Sequence, residues 1–377
     1  MAINAYLDNA ATTPIDKEVL DAMLPYMETH FGNPSSIHAF GWETRAAIER
    51  SRRSIAQYFN VSPGEIFFTS GGTEANNMAL RCSVESLGIK TVISSRIEHH
   101  AVIHTLEMLE NKGLVKVLWV RLNKKGVIDL QHLEQLLEKN KGSLVSLMHA
   151  NNEIGNLLPI KKVGDLCAEY HAVFHSDTVQ TMGHYVLDFQ KVKALMASCS
   201  AHKFHGPKST GFLYLSGNLR INPLIYGGPQ ERNMRGGTEN VYGIVGMAKA
   251  FEIAYRNIKK DQAYIRDLKS YLIDLLNAAI PGIKYNGESA EKSLYTVLNI
   301  SLPSVKNKEM LLFNLDIAGI AVSGGSACSS GVSQDSHVLS AIGCDMKKPS
   351  IRVSLSKLNT RTEIEYFVEQ LKIFQLV

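Results

Sequence analysis

Short apolar runs alternate with longer amphipathic stretches over the first two-thirds of this chain, and few folds accept that pattern. The runs are IFFT (66–69), TVIS (91–94), KVLWV (116–120), LVSLM (144–148), VFHS (173–176), LMAS (195–198) and GFLYL (211–215). Several are apolar almost without interruption, as strands covered on both faces are. Helical patterns fall between many of them. In 43–58, Ala47, Ile48, Ile55 and Tyr58 share one side while Arg45, Arg50 and Arg52 fall elsewhere, and 163–170 is also helical in pattern. The alternation predicts an α/β fold, a mostly parallel seven-stranded sheet with helices on both faces. After about residue 250 the pattern changes. A long helical stretch (246–276) leads to Pro281-Gly282, then to strand-like YTVLNISL (295–302), helical MLLFNLDIAG, Gly/Ser-rich SGGSACSSG (323–331), strand-like IRVSL (351–355) and a last helix from Thr362. This second part predicts a smaller α+β domain.

Composition narrows the function. Across 377 residues, 40 Lys and Arg against 36 Asp and Glu leave a formal net charge of +4. So even a balance argues against a nucleic-acid binder, which concentrates basic residues. No apolar run approaches the ~18–20 residues of a membrane span. The opening MAINAYLDNA has neither the basic nor the apolar region of a secretory signal, so a cytoplasmic chain is expected. The five cysteines, Cys82, Cys167, Cys199, Cys328 and Cys344, are odd in number, widely spaced and without a CxxC pair, which suggests free thiols and no zinc ribbon.

The chemistry gathers at strand ends. SAHKFHGPK places Lys203 after a predicted strand, where open α/β sheets bind ligands. A lysine desolvated there becomes a Schiff-base nucleophile. FHSDTVQ places Asp177 at the end of the preceding predicted strand, with Gln180 just beyond. Alone, that aspartate reads as a helix cap. Beside a Schiff-base lysine it fits pyridoxal 5'-phosphate (PLP), whose pyridine nitrogen needs an acidic partner. Gly71, Gly72 and Thr73 lie between a strand and a helix, where backbone amides favour a phosphate. Alone, the histidines of IEHHAV read as surface residues and Asn152 of ANNEIG as a turn residue; beside the other strand ends, His99 or His100 would stack on the ring and Asn152 would hydrogen-bond cofactor or substrate.

The motifs YLDNAATTP, GNPSSIH, TSGGTEANN, EHHAV, ANNEIG, HSDTVQ, SAHKFHGPK, RGGTEN and SGGSACSSG run in order from Tyr6 to Gly331. They resemble those of the PLP-dependent class V aminotransferase family, and within it the NifS/IscS-type cysteine desulfurases. The resemblance implies an aspartate aminotransferase-like, fold type I architecture. Its expected division is a large PLP-binding domain over 14–255 and a small domain made of 1–13 and 256–377. It implies conversion of L-cysteine to L-alanine, with sulfur passing to Cys328 and then to an acceptor such as an iron–sulfur scaffold protein. Lys203 would carry the cofactor, Asp177 hold the pyridine nitrogen and Gln180 the ring hydroxyl. Gly72, Thr73, Ser200 and His202 would hold the phosphate. His99 would stack on the ring and act in catalysis, with Asn152 beside it. Thr238 would reach the phosphate of a neighbouring subunit, implying a homodimer. Arg352 would clamp the substrate carboxylate with Asn33 nearby, a task suited to a planar guanidinium.

Cys328 lies among Gly and Ser residues that build no packed core, whereas Cys82, Cys167, Cys199 and Cys344 read as packing residues. After Ser354-Leu355 the family usually has Gly-Arg; here Ser356-Lys357 stands, which puts the local turn in question. Selenocysteine lyase, another class V aminotransferase and a catalytically silent scaffold remain as alternatives.

Overall fold

The computed structural model describes residues 4–303, 308–324 and 336–376. Its strands are β1 (Ala5–Tyr6), β2 (Ile66–Thr69), β3 (Thr91–Ser94), β4 (Lys116–Trp119), β5 (Leu144–Ser146), β6 (Val173–Asp177), β7 (Met196–Ser200), β8 (Gly211–Leu215), β9 (Lys284–Tyr285), β10 (Val297–Ser301), β11 (Ile320–Ala321) and β12 (Ser350–Ser354). All seven apolar runs of the first two-thirds are strands, and they form one sheet in the order β2-β8-β7-β6-β5-β3-β4. Neighbours from β7 to β4 pair in parallel, while β8 is antiparallel to both β7 and β2.

Apolar side chains point to both faces, which explains the unbroken runs. Ile66, Phe68, Ile93, Phe212 and Tyr214 enter one core. Their alternates Phe67, Val92, Leu213 and Leu215 enter another on the opposite face. The β6–β7 register pairs Asp177 with Ser198. The ends of these two strands are therefore neighbours, as the sequence spacing of Asp177 and Lys203 requires.

The later part is built on the antiparallel strands β12-β10-β9 and has its own core, to which the N-terminal Ala5 and Leu7 also belong. Strand β1 pairs with β11, and Asp8 bridges to Ser354. One helix, Val241–Ala279, serves both parts. Residues from Val241 to Ile253 pack in the first core, and residues from Ile265 to Leu276 pack in the second.

Candidate active site

The carboxyl ends of β2, β3, β5, β6 and β7 open onto one pocket of about 440 Å³, which Arg352 of β12 also lines. Of the residues picked out in the sequence, Gly72, Thr73, His99, Asn152, Asp177, Gln180, Ser200, His202, Lys203 and Arg352 all line it.

Asp177 is buried with both oxygens engaged: Oδ2 accepts from Asn76 Nδ2 at 2.6 Å and Oδ1 from the Val179 amide at 3.0 Å. Lys203 ends a short 3-10 turn, and its Nζ donates to the carbonyls of Ala10 (2.7 Å) and Ala11 (2.8 Å). Gln180 Nε2 also donates to Ala10 at 3.1 Å, so the N-terminal loop is part of the pocket wall. Burial pushes the His202 imidazole down to about 4, and its Nδ1 lies 3.1 Å from Thr12 Oγ1.

His99 caps helix His100–Asn111, its Nδ1 accepting from the Ala101 amide at 3.1 Å. A backbone N–H only donates, so the proton of the neutral ring sits on Nε2. Burial lowers the pKa of this ring, with Asp177 opposing. The Glu98 carboxyl is fully buried and accepts from Ser95 Oγ and the Met148 amide. Burial drives its pKa up to about 8, and hydrogen bonds restrain the rise.

Arg352 is only 1% exposed. Its Nη2 donates to Asp8 Oδ1 (2.8 Å) and Ser323 Oγ (3.2 Å), and its Nη1 to the Asn152 carbonyl (3.1 Å). Its Nε is buried with no partner among the described residues. Two donor directions are thus fixed and one is unsatisfied.

Asn33 is not brought to this pocket. It is exposed, and its Oδ1 accepts from the Ser35 amide within a surface turn. Thr238 is likewise exposed and off the pocket of its own chain. Cys328 lies outside the described residues. Cys82, Cys167 and Cys199 are buried and Cys344 half-buried. Burial raises the pKa of all four thiols, that of Cys167 to about 12, so none is poised as a thiolate. At the Ser356-Lys357 departure the turn is held by Asn359, whose Oδ1 accepts from the Ser356 amide, and Lys357 Nζ pairs with Asp16 at 2.7 Å. The site also uses Asn76, Asp8 and the Ala10 and Ala11 carbonyls, to which the sequence reading gave no role. Asn76 was within reach, because residues 73 and 76 share a face of a helix that begins at Gly72.

The Aminotransferase class-V family model matches residues 5–367. The chain belongs to this family. It is 42% identical to a cysteine desulfurase IscS of Dictyoglomus turgidum, over 99% of this chain and 94% of that protein. A solved structure described as a NifS-like protein matches with a TM-score of 0.92 at 37% identity, covering all of both chains. Another, described as SspA in complex with cysteine, matches with a TM-score of 0.82 at 31% identity, covering 94% of this chain and all of that one. Class V aminotransferases depend on PLP, and the pocket fits that group. It offers an amine for the aldehyde (Lys203), a buried carboxylate for the pyridine nitrogen (Asp177), and hydroxyls and an imidazole for the phosphate (Thr73, Ser200, His202). The cradle's glycines resist side chains for two different reasons, backbone conformation at Gly71 and crowding at Gly72. Gly71 has φ +145°, and a Cβ on Gly72 would lie 2.7 Å from Val179 Cγ2.

Proposed function

We propose that this chain is a cysteine desulfurase that converts L-cysteine to L-alanine, retains the sulfur on Cys328 as a persulfide and passes it to an acceptor protein such as an iron–sulfur scaffold. The observation that carries this reading is the meeting of Lys203, Asp177 and Arg352 in one pocket. An amine and a carboxylate there suit PLP, and a buried guanidinium with an unsatisfied Nε suits the carboxylate of an amino acid. The names of the similar proteins, one of them in complex with cysteine, support the choice of substrate.

In this reading Lys203, Asp177, Gln180, Ser200, His202, Gly72 and Thr73 hold the cofactor. The bound cofactor supplies an electron sink for negative charge at the substrate Cα. Asn76 and the Val179 amide keep the Asp177 carboxylate aimed into the pocket. Lys203 moves the Cα proton, and its Nζ has the Ala10 and Ala11 carbonyls to return to. His99, neutral with its proton on Nε2, presents a donor to the pocket. Arg352 fixes the substrate carboxylate while Asp8 balances its charge. The Cys328 thiolate attacks the substrate sulfur. An S–S bond forms, the C–S electron pair stays with carbon, and carbon takes up a proton to give alanine.

A homodimer belongs to the same proposal. The segments carrying Asn33 and Thr238 adjoin, with Gln230 Nε2 3.5 Å from Ser35 Oγ, and they expose large apolar side chains, Ile37 at 88% and Tyr226 at 77%. A second copy covering this face would put Thr238 at the partner's phosphate. The free cysteines among the described residues suit a reducing cytoplasm, and no helix among those residues is long and apolar enough to cross a membrane.

The test is Cys328→Ser. This variant should bind cofactor and cysteine normally, yet release almost no alanine and carry no added sulfur by mass spectrometry. Wild-type turnover in the variant, a keto acid in place of alanine, or sulfur on another cysteine would overturn the reading.

A further inference from the structure

A wall of the pocket carries an imidazole that the reading above does not use. His337, the first residue of helix His337–Ala341, lines the pocket together with Lys203 and Arg352. Its Nε2 lies 2.9 Å from the Glu98 carbonyl oxygen. A carbonyl only accepts, so Nε2 holds the proton and Nδ1 of the neutral ring is a lone pair. That Nδ1 is buried and has no hydrogen-bond partner among the described residues. The His100 ring packs on it at 4.5 Å between centroids, and its own Nδ1 is buried and unpartnered too. Buried polar atoms are rarely left without partners, and those that are call for an explanation.

We propose that His337 reads the side chain of the substrate: its Nδ1 accepts a hydrogen bond from the thiol S–H of the bound amino acid. The proposal rests on the desulfurase reading and deepens it. Arg352 recognises the carboxylate that every amino acid has, and Lys203 marks the place of the Cα. Neither distinguishes cysteine from an amino acid of similar shape. A fixed acceptor does, because an aliphatic side chain leaves the buried lone pair unmatched while a thiol satisfies it. The tautomer is set by the Glu98 carbonyl, so the buried Nδ1 of this pocket-lining ring is left as an acceptor.

The test compares L-cysteine with L-2-aminobutyrate, which replaces the thiol by a methyl group. Affinities are read from the change in cofactor absorbance on titration, in the PLP-loaded Cys328→Ser background, where binding is separated from turnover. Cysteine should bind about fivefold more tightly than 2-aminobutyrate, the effect of one modest hydrogen bond. His337→Phe keeps a ring and loses the acceptor. It should bring the two affinities within twofold and leave the affinity for L-alanine unchanged. His337→Ala should do the same if the phenyl ring does not pack. Discrimination that survives both substitutions overturns the proposal, and so does an equal loss of affinity for all three ligands, which would mark a packing role. Failure of the desulfurase reading shows separately, as wild-type protein that makes no alanine from cysteine.

Discussion

Asp177 and Arg352 are both buried charges, and each is kept in place by a neighbour far away in sequence. Asn76 lies 101 residues from Asp177 and Asp8 lies 344 residues from Arg352. Removing a donor from a buried charged acceptor costs about 1–3 kcal/mol or more. Asn76→Ala should therefore loosen Asp177 and speed cofactor loss, which the rate of PLP release into a scavenger will measure. A release rate equal to wild type would leave Asn76 with no role in holding Asp177. Arg352→Lys offers one charged point where the guanidinium serves Asp8, Ser323 and Asn152 together. The KM for cysteine should rise at least tenfold with the cofactor spectrum unchanged, and a KM within twofold of wild type would remove the assigned clamp. Asp177 and Lys203 were legible because each stands at the end of an apolar run, where fold and chemistry coincide, whereas Arg352, in the middle of β12, was reached only through the family resemblance. Their supporters were not legible, since only tertiary packing joins residues so far apart, and an aspartate in YLDNAATTP has no local sign of a partner on β12.

Seven strands were legible because burial on both faces writes itself as consecutive apolar residues. Strands β1, β9 and β11 are two residues each, too short to show any periodicity. The change of pattern near residue 250 was visible, yet the helix there runs on from Val241 to Ala279 without a break. Hydrophobic pattern records which core a turn of helix faces, and the backbone between Ile253 and Ile265 passes from one core to the other. We therefore propose that the two parts meet along this helix and not at a linker. At the level of the sheet, Gly211 of β8 is the tightest contact near the site. A Cβ there would lie 2.2 Å from the Cys199 carbonyl oxygen and 2.8 Å from Gly71 Cα. Gly211→Ala must push β8 from β7 or shift the phosphate turn. Overpacking of this kind costs about 1–3 kcal/mol. The variant should melt several degrees lower and also retain PLP less well. A lower melting temperature with unchanged PLP affinity would show that the strand yields and the turn does not.

Over the whole molecule, buried titratable groups set how stability depends on pH. Burial holds His100, His149, His175, His202 and His205 down at about 4. In the unfolded chain these rings take up protons below about 6.5, while the native rings stay neutral to about 4. Their contribution is complete above 6.5 and is lost as the pH falls toward 4. Glu98 acts in the opposite sense. Its native pKa is about 8, so it keeps a proton that the unfolded chain releases above about 4.5, and its contribution declines as the pH rises from 4.5 to 8. Five rings against the Glu98 carboxyl leave stability rising with pH between 4.5 and 6.5, by on the order of 1 kcal/mol per pH unit for each uncompensated proton. Above 7, Lys269 joins. Burial lowers it to about 7, so it adds stability with rising pH and offsets the decline from Glu98 up to pH 8. The melting temperature of the cofactor-free protein should therefore climb from pH 4.5 to 6.5 and level off to pH 8. Glu98→Gln removes the opposing slope. That variant should climb more steeply below 6.5 and continue upward above 7, where the wild type is flat. A wild-type melting temperature that does not change between pH 4.5 and 6.5 would show that these histidines reach solvent, and a Glu98→Gln curve parallel to wild type would show that Glu98 is ionised in the native protein.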